Sequence, residues 1–161
     1  MAFTTYAEAA IRLRRYISDI PQLNYLDGEF ETTDDELVMY VQDTLNQINM
    51  DFDPQTLWAL SDIVVEPGEP GKLSWNSVKA GAVLQYLTAK GILSARNMLT
   101  YSDAGGVTVT DNDRWGRYIN YYNVLLRQYL DSVLVAKRRE NISRAYTGLD
   151  SPLGYDYYWR Q

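Results

Sequence analysis

The chain has no cysteine and no histidine, and these two absences close off whole classes of chemistry. Without thiols there is no disulfide, no thiolate metal site and no cysteine nucleophile. Without imidazole the side chain that titrates nearest neutral pH, also the commonest metal ligand, is missing. Ser-His-Asp, Cys-His and His-metal mechanisms are therefore excluded together. Cations are scarce as well: 15 Lys and Arg stand against 21 Asp and Glu, a formal net charge of −6 and a sequence pI near 4.6. That balance disfavours a general nucleic-acid binder, which needs clustered Lys and Arg against phosphate. No apolar run approaches the ~20 residues that cross a bilayer. Met1 to Tyr6 lacks the basic and then apolar pattern of a signal peptide, so the expectation is a protein made in the cytoplasm.

What is present describes a globular chain. Its 161 residues fit one domain, with a hydrophobic share of 46% and a charged share of 22%, which makes global disorder improbable. The aromatic set is skewed, with 14 Tyr and 4 Trp against 3 Phe. Tyr and Trp combine a large apolar face with a polar handle and are enriched where protein surfaces meet; an aromatic core with its hydroxyls at the rim is the alternative.

Periodicity predicts an all-α domain of about five helices. Thr5 with Glu8 is a capping-box start, after which Tyr6, Ala9, Ala10, Leu13, Tyr16 and Ile17 recur at helical spacing, Arg12, Arg14 and Arg15 taking the other positions. Pro21 and Asp27-Gly28 open a loop. Thr33 with Glu36 starts a second helix, whose buried face runs through Leu37, Val38, Tyr40, Val41, Thr44, Leu45 and Ile48 to Met50. Asp53-Pro54 reads as the start of a short helix with Leu57, Trp58 and Leu60 inward. The Pro/Gly-rich stretch from Glu66 to Gly71 is a turn or exposed loop. A further helix begins at Ser74 or Asn76 and buries Val78, Ala82, Val83, Tyr86, Leu87 and Ala89, with a kink or break expected at Gly91. Gly105-Gly106 is a turn, and Val107 to Thr110 alternates as one short strand without an obvious partner in the chain. From about Asp111 to Tyr146 the longest pattern follows: Trp115, Tyr118, Ile119, Tyr122, Leu125, Leu126, Tyr129, Val133 and Leu134 at spacings of three and four. Residues 1–146 thus form a helical domain, and 147–161 an extended aromatic C-terminal arm.

That arm carries Tyr155, Tyr157, Tyr158 and Trp159 after a Pro/Gly breaker. Each large aromatic gains ~1.5–3 kcal/mol on burial, so the arm either folds back on its own domain or docks into a neighbouring chain. Lys137, Arg138, Arg139 and Arg144 stand near its root. The long helix region has a local charge of +3, against −8 before it and −1 after it. The cluster reads as an ordinary charged helix end, as a basic collar for an acidic partner, or more weakly as a nucleic-acid contact. Asp34, Asp35 and Glu36 suit a helix N-terminus. They and the Asp51/Asp53 pair are of a type that can hold a metal or do acid–base work, but helix starts explain them without a metal, a cofactor or catalysis.

The run Asp103-Ala104-Gly105-Gly106-Val107-Thr108-Val109, followed by Asp111-Asn112-Asp113-Arg114 and the long aromatic helix with its extension, resembles the last third of the head–tail connector (adaptor) proteins of tailed bacteriophages. The resemblance implies a structural, non-enzymatic virion protein at the neck, assembled as a dodecameric ring under the portal and around the DNA channel. It implies that the portal, the next connector or tail component and further copies of the chain are its partners, that no cofactor is used, and that DNA passes without sequence-specific binding. On this reading Tyr155, Tyr157, Tyr158 and Trp159 anchor the portal, Arg138, Arg139 and Arg144 supply electrostatic registration, and Val107 and Val109 form an inter-subunit strand. Two alternatives stand beside it: another neck or tail-completion (stopper) protein, and a small monomeric protein-binding adaptor.

Overall fold

A computed structural model describes residues 3–19, 21, 30–66, 71–96, 101–102, 108–109 and 112–147. Four α-helices account for most of them: α1 (Tyr6–Ile17), α2 (Asp34–Met50), α3 (Trp75–Arg96) and α4 (Asn112–Thr147). The mostly helical character expected from periodicity is present.

Local chemistry sets the helix ends. Thr5 caps α1, its hydroxyl accepting from the Glu8 N–H at 3.3 Å. The Glu8 carboxylate reaches past Thr5 to accept from the Thr4 N–H at 2.9 Å and the Thr4 hydroxyl at 2.8 Å, and these bonds, the backbone one foremost, hold its pKa below the ordinary value. The helix stops at Ser18, which takes a left-handed conformation (φ 58°) and donates back to the last turn, ahead of the Pro21 stop. In α2 the Thr33/Glu36 capping box is complete in both directions, with Asp34, Asp35 and Glu36 in the first turn, where the helix dipole favours them.

α3 is the hub, packing against α1, α2 and α4. Leu13 of α1, Leu37, Val41 and Ile48 of α2, Val78 of α3 and Val133 of α4 are all but fully removed from water. Gly81 lets three helices meet. A Cβ there would strike Thr44 Cγ2 of α2 and lie 2.8 Å from Tyr129 Cε2 of α4, inside any tolerable contact. α3 runs through Gly91 without a break. The expected interruption is absent because Gly91 is itself buried, and a single glycine costs a helix interior only ~1 kcal/mol.

The segment after Asp53-Pro54 is not the fifth helix that was expected. Residues 55–59 are extended, Leu60–Asp62 form one 3-10 turn, and burial alternates: Thr56, Trp58 and Leu60 face inward while Leu57 is 97% exposed. The cause is Asn49, which offers this segment the bonds of a strand partner. Its Oδ1 accepts from the Trp58 N–H and the Thr56 hydroxyl at 2.9 and 2.8 Å, and its Nδ2 donates to the Trp58 carbonyl at 2.9 Å.

Two strand pairs complete the fold. Strands β1 (Ile63–Val64) and β2 (Leu73–Ser74) are parallel, a pairing that sequence reading did not foresee. The approach needs Gly71, where a Cβ would strike Val64 Cγ2 and lie 2.9 Å from the Asp62 carbonyl oxygen. Strands β3 (Tyr101–Ser102) and β4 (Thr108–Val109) are antiparallel, Tyr101 opposite Val109 and Ser102 opposite Thr108. This corrects the expectation of a strand without a partner in its own chain: Tyr101–Ser102 pairs with one edge of it.

Tyr129 gives the core a pH signature. Its side chain is buried and its hydroxyl has no hydrogen-bond partner among the described residues. Burial, with a smaller push from the Asp51 carboxylate, raises the phenol to about 12. A folded pKa above the unfolded value of ~10 contributes stability that is intact below pH 10 and is lost as pH climbs toward 12, on the order of 2–3 kcal/mol. Tyr86, also raised by burial, acts in the same sense. Tyr129→Phe is expected to be neutral or stabilising at pH 7 and to flatten this alkaline loss. Urea unfolding of the two proteins at pH 9 and pH 11.5 checks it, and parallel losses in both would refute the assignment.

Candidate functional site

The end of α4 is the part of the described structure least absorbed by the core. The helix has 36 residues, ~54 Å at 1.5 Å per residue. Its buried face runs through Leu125, Tyr129, Val133, Ala136 and Lys137. Beyond Lys137 no described residue is buried, and 141–145 are all exposed. The last ten residues, 138–147, therefore project as a rod of ~15 Å, and the aromatic arm follows in sequence.

Lys137 fastens the base of this rod. Sequence reading grouped it with the surface cations, yet it is 1% exposed. Its Nζ donates to the Asn49 carbonyl and the Pro54 carbonyl, each at 3.1 Å, and to the Thr56 hydroxyl at 3.0 Å. It also sits 5.3 Å from the centre of the Trp58 ring. All three donor positions of the ammonium are thus used, two of them on carbonyls at and just beyond the C-terminus of α2, where the dipole favours a cation. Burial lowers the Lys137 pKa, with Asp51 acting against that shift. The fold therefore gains stability as pH rises through the lowered value toward the unfolded ~10.5, opposite in sign to the tyrosines. The signal was available: Lys137 lies four residues after Val133 and eight after Tyr129, on the apolar stripe itself.

The loop gripped by Lys137 presents apolar side chains outward. Met50 is 68% exposed, Leu57 97% and Phe52 38%. Phe52 also holds a left-handed backbone (φ 60°), a conformation that costs a bulky residue of order 1 kcal/mol or more and survives only where its surroundings impose it. Lys137→Met keeps the stem and removes the three bonds, so a loss of about 2–3 kcal/mol is expected. Urea unfolding measures it, and a loss under ~0.5 kcal/mol would show the clamp to be idle.

Of the cations assigned to a docking surface, Arg138 and Arg139 are exposed on the rod. Arg144 is exposed too, and its Nε donates to Glu140 one turn back at 3.1 Å. Val109 lies in β4, while Val107, Tyr155, Tyr157, Tyr158 and Trp159 fall outside the described residues. Among the described residues no cluster of three or more carboxylates could hold a metal, and no helix is long and apolar enough to cross a membrane. A second buried cation is Arg14, which stands off the apolar spacing of α1. It donates to Asp19 at 2.7 Å, to the Thr32 carbonyl at 2.6 Å and to Asp34 at 2.8 Å, and its guanidinium lies 4.3 Å from the centre of the Phe30 ring. This network ties the end of α1 to the start of α2 and positions no reactive group. Compared with protein-family models, curated proteins and solved structures, the chain matches none of them.

Proposed function

We propose that the protein is a structural, non-enzymatic head–tail connector of a tailed bacteriophage, assembled as a ring beneath the portal and joining it to the tail. The observation that carries the reading is the α4 rod, anchored by Lys137 and solvent-exposed at Arg138, Arg139 and residues 141–145, with Glu140 half-buried. On this reading the rod presents the tyrosine-rich terminus that follows it in sequence to another chain. Arg138, Arg139 and Arg144 at its root give an electrostatic collar for an acidic partner surface, and Tyr155, Tyr157, Tyr158 and Trp159 are the anchors. The excess of carboxylates before α4, placed toward the channel, would keep passing DNA from adhering. The β3–β4 hairpin has a second edge at Val109, where strand addition between copies would occur.

The test is to mix the purified chain with assembled portal encoded beside it and image the complex by electron microscopy. A stack of rings is expected, with one copy of the chain per portal subunit. A portal that sediments alone at micromolar concentrations of both proteins would end the connector reading.

A further inference from the structure

Two outward helix faces of this chain are complementary, one on α2 and one on α4 that begins in the body and continues onto the base of the rod. On α2, Met39 and Met50 are 47% and 68% exposed. They lie eleven residues apart, three helical turns, and so share one line along the helix. Asp35 and Asp43 flank that line on its two sides, both exposed, and α2 contains no basic residue at all. On α4, Val124 and Val135 are 54% and 49% exposed and again lie eleven residues apart on one line, which Ile142, 58% exposed, continues after a further seven. Arg127 and Arg138 flank this line on one side and Arg139 on the other, with Asp131 the one acid on the stripe, and all four are exposed. None of Asp35, Asp43, Arg127, Arg138 and Arg139 forms an ion pair among the described residues.

We propose that α2 of one copy docks parallel to α4 of the next, Met39 against Val124 and Met50 against Val135, a register that brings the Asp43 carboxylate level with Arg127. The equal spacing of the apolar pairs, ~16 Å on each helix, sets the register, and the opposite charge of the flanks sets the choice of partner. A second copy is the occupant because it alone is certain to carry both faces. The two faces lie on different helices, so the contact is heterologous: every copy offers one of each, and association runs head to tail until a ring closes. This deepens the connector reading and rests on its claim that copies associate, but it fixes which surfaces meet and requires association without the portal.

Charge exchange tests it. One variant carries Asp43→Lys, the other Arg127→Glu. Both sites are exposed, and circular dichroism and thermal melting of each variant establish that it folds. Sedimentation velocity at 50 mM NaCl is expected to show oligomers of the unaltered chain that weaken at 500 mM. Each variant alone should associate at least tenfold more weakly, because like charges then face each other. An equimolar mixture should recover the assembly, since each variant keeps the face the other needs. Folded variants that associate as well as the unaltered chain, or a mixture that stays dissociated, would overturn this interface. An unaltered chain that remains monomeric at 0.2 mM and 50 mM NaCl would overturn it too. Those results bear on α2 and α4 alone. The connector reading falls on a separate one, failure of the unaltered chain to bind portal rings.

Discussion

A chain ending at Thr147 is expected to keep the helical body and to lose the portal. The body is expected to survive because the buried cluster among the described residues runs from Phe3 to Ala136 and lies ahead of the cut. The partner is lost because the four aromatics of residues 155–159 are the chain's densest apolar group. If burial of each at an interface is worth ~1.5–3 kcal/mol and only half is realised, 3–6 kcal/mol disappears, a weakening of about 10²–10⁴-fold. Co-sedimentation with portal against protein concentration measures this, with circular dichroism as the folding control. A truncated chain binding within threefold of the full one would remove the arm from the proposal, leaving the arginine collar to account for docking. Trp159→Ala alone should reproduce part of the loss, since aromatic anchors contribute unequally.

The largest effect on stability is expected at Asp19. Its carboxylate is 3% exposed; Oδ2 receives the Arg14 guanidinium at 2.7 Å and the Thr32 N–H at 3.1 Å, and Oδ1 receives the Glu31 N–H at 2.8 Å. Asp19→Ala strands two backbone donors and leaves Arg14 buried, facing the Thr32 carbonyl and an Asp34 carboxylate that is 79% exposed and correspondingly screened. An uncompensated charge in such a place costs about 3–5 kcal/mol, a large part of the 5–15 kcal/mol that holds an ordinary domain. Arg14→Met combined with Asp19→Asn removes the stranded charge and keeps an acceptor for one of the two N–H groups, so the double variant should be more stable than Asp19→Ala alone. Urea unfolding of the three proteins decides; if the double variant is the weaker, the loss at Asp19 comes from something other than Arg14.

Arg14 and Lys137 also mark where sequence reading ran out. The caps at Thr5 and Thr33, the buried faces of α1, α2 and α3 and the length of α4 were legible because each depends on contacts within one helix, between residues three or four apart. Arg14 stands off the apolar spacing of α1 and Lys137 in a basic cluster near the end of α4, and a charge is almost never fully buried unless paired. Their partners, Asp19 and Thr32 in one case and Asn49, Pro54 and Thr56 in the other, come together only in the folded chain. The expected helix after Pro54 failed for the same reason. A proline start and three apolar residues were local signals, and a distant amide, Asn49, outweighed them by dictating an extended backbone. Tyr101 as the partner of Val109 was missed because a two-residue strand carries almost no pattern of its own.

The absence of a side chain at Gly81 has a mechanical consequence. Tyr129 of α4 lies against that bare patch of α3 while Thr44 of α2 closes it from the other helix, so α4 cannot slip along its axis without driving a ring into backbone. The stretch from Tyr129 to Thr147 is thereby a gauge of fixed length, ~27 Å at 1.5 Å per residue, rather than a piston. Whatever meets the end of the rod is met at a set height, and a load applied there travels down to the Lys137 clamp and the loop it grips.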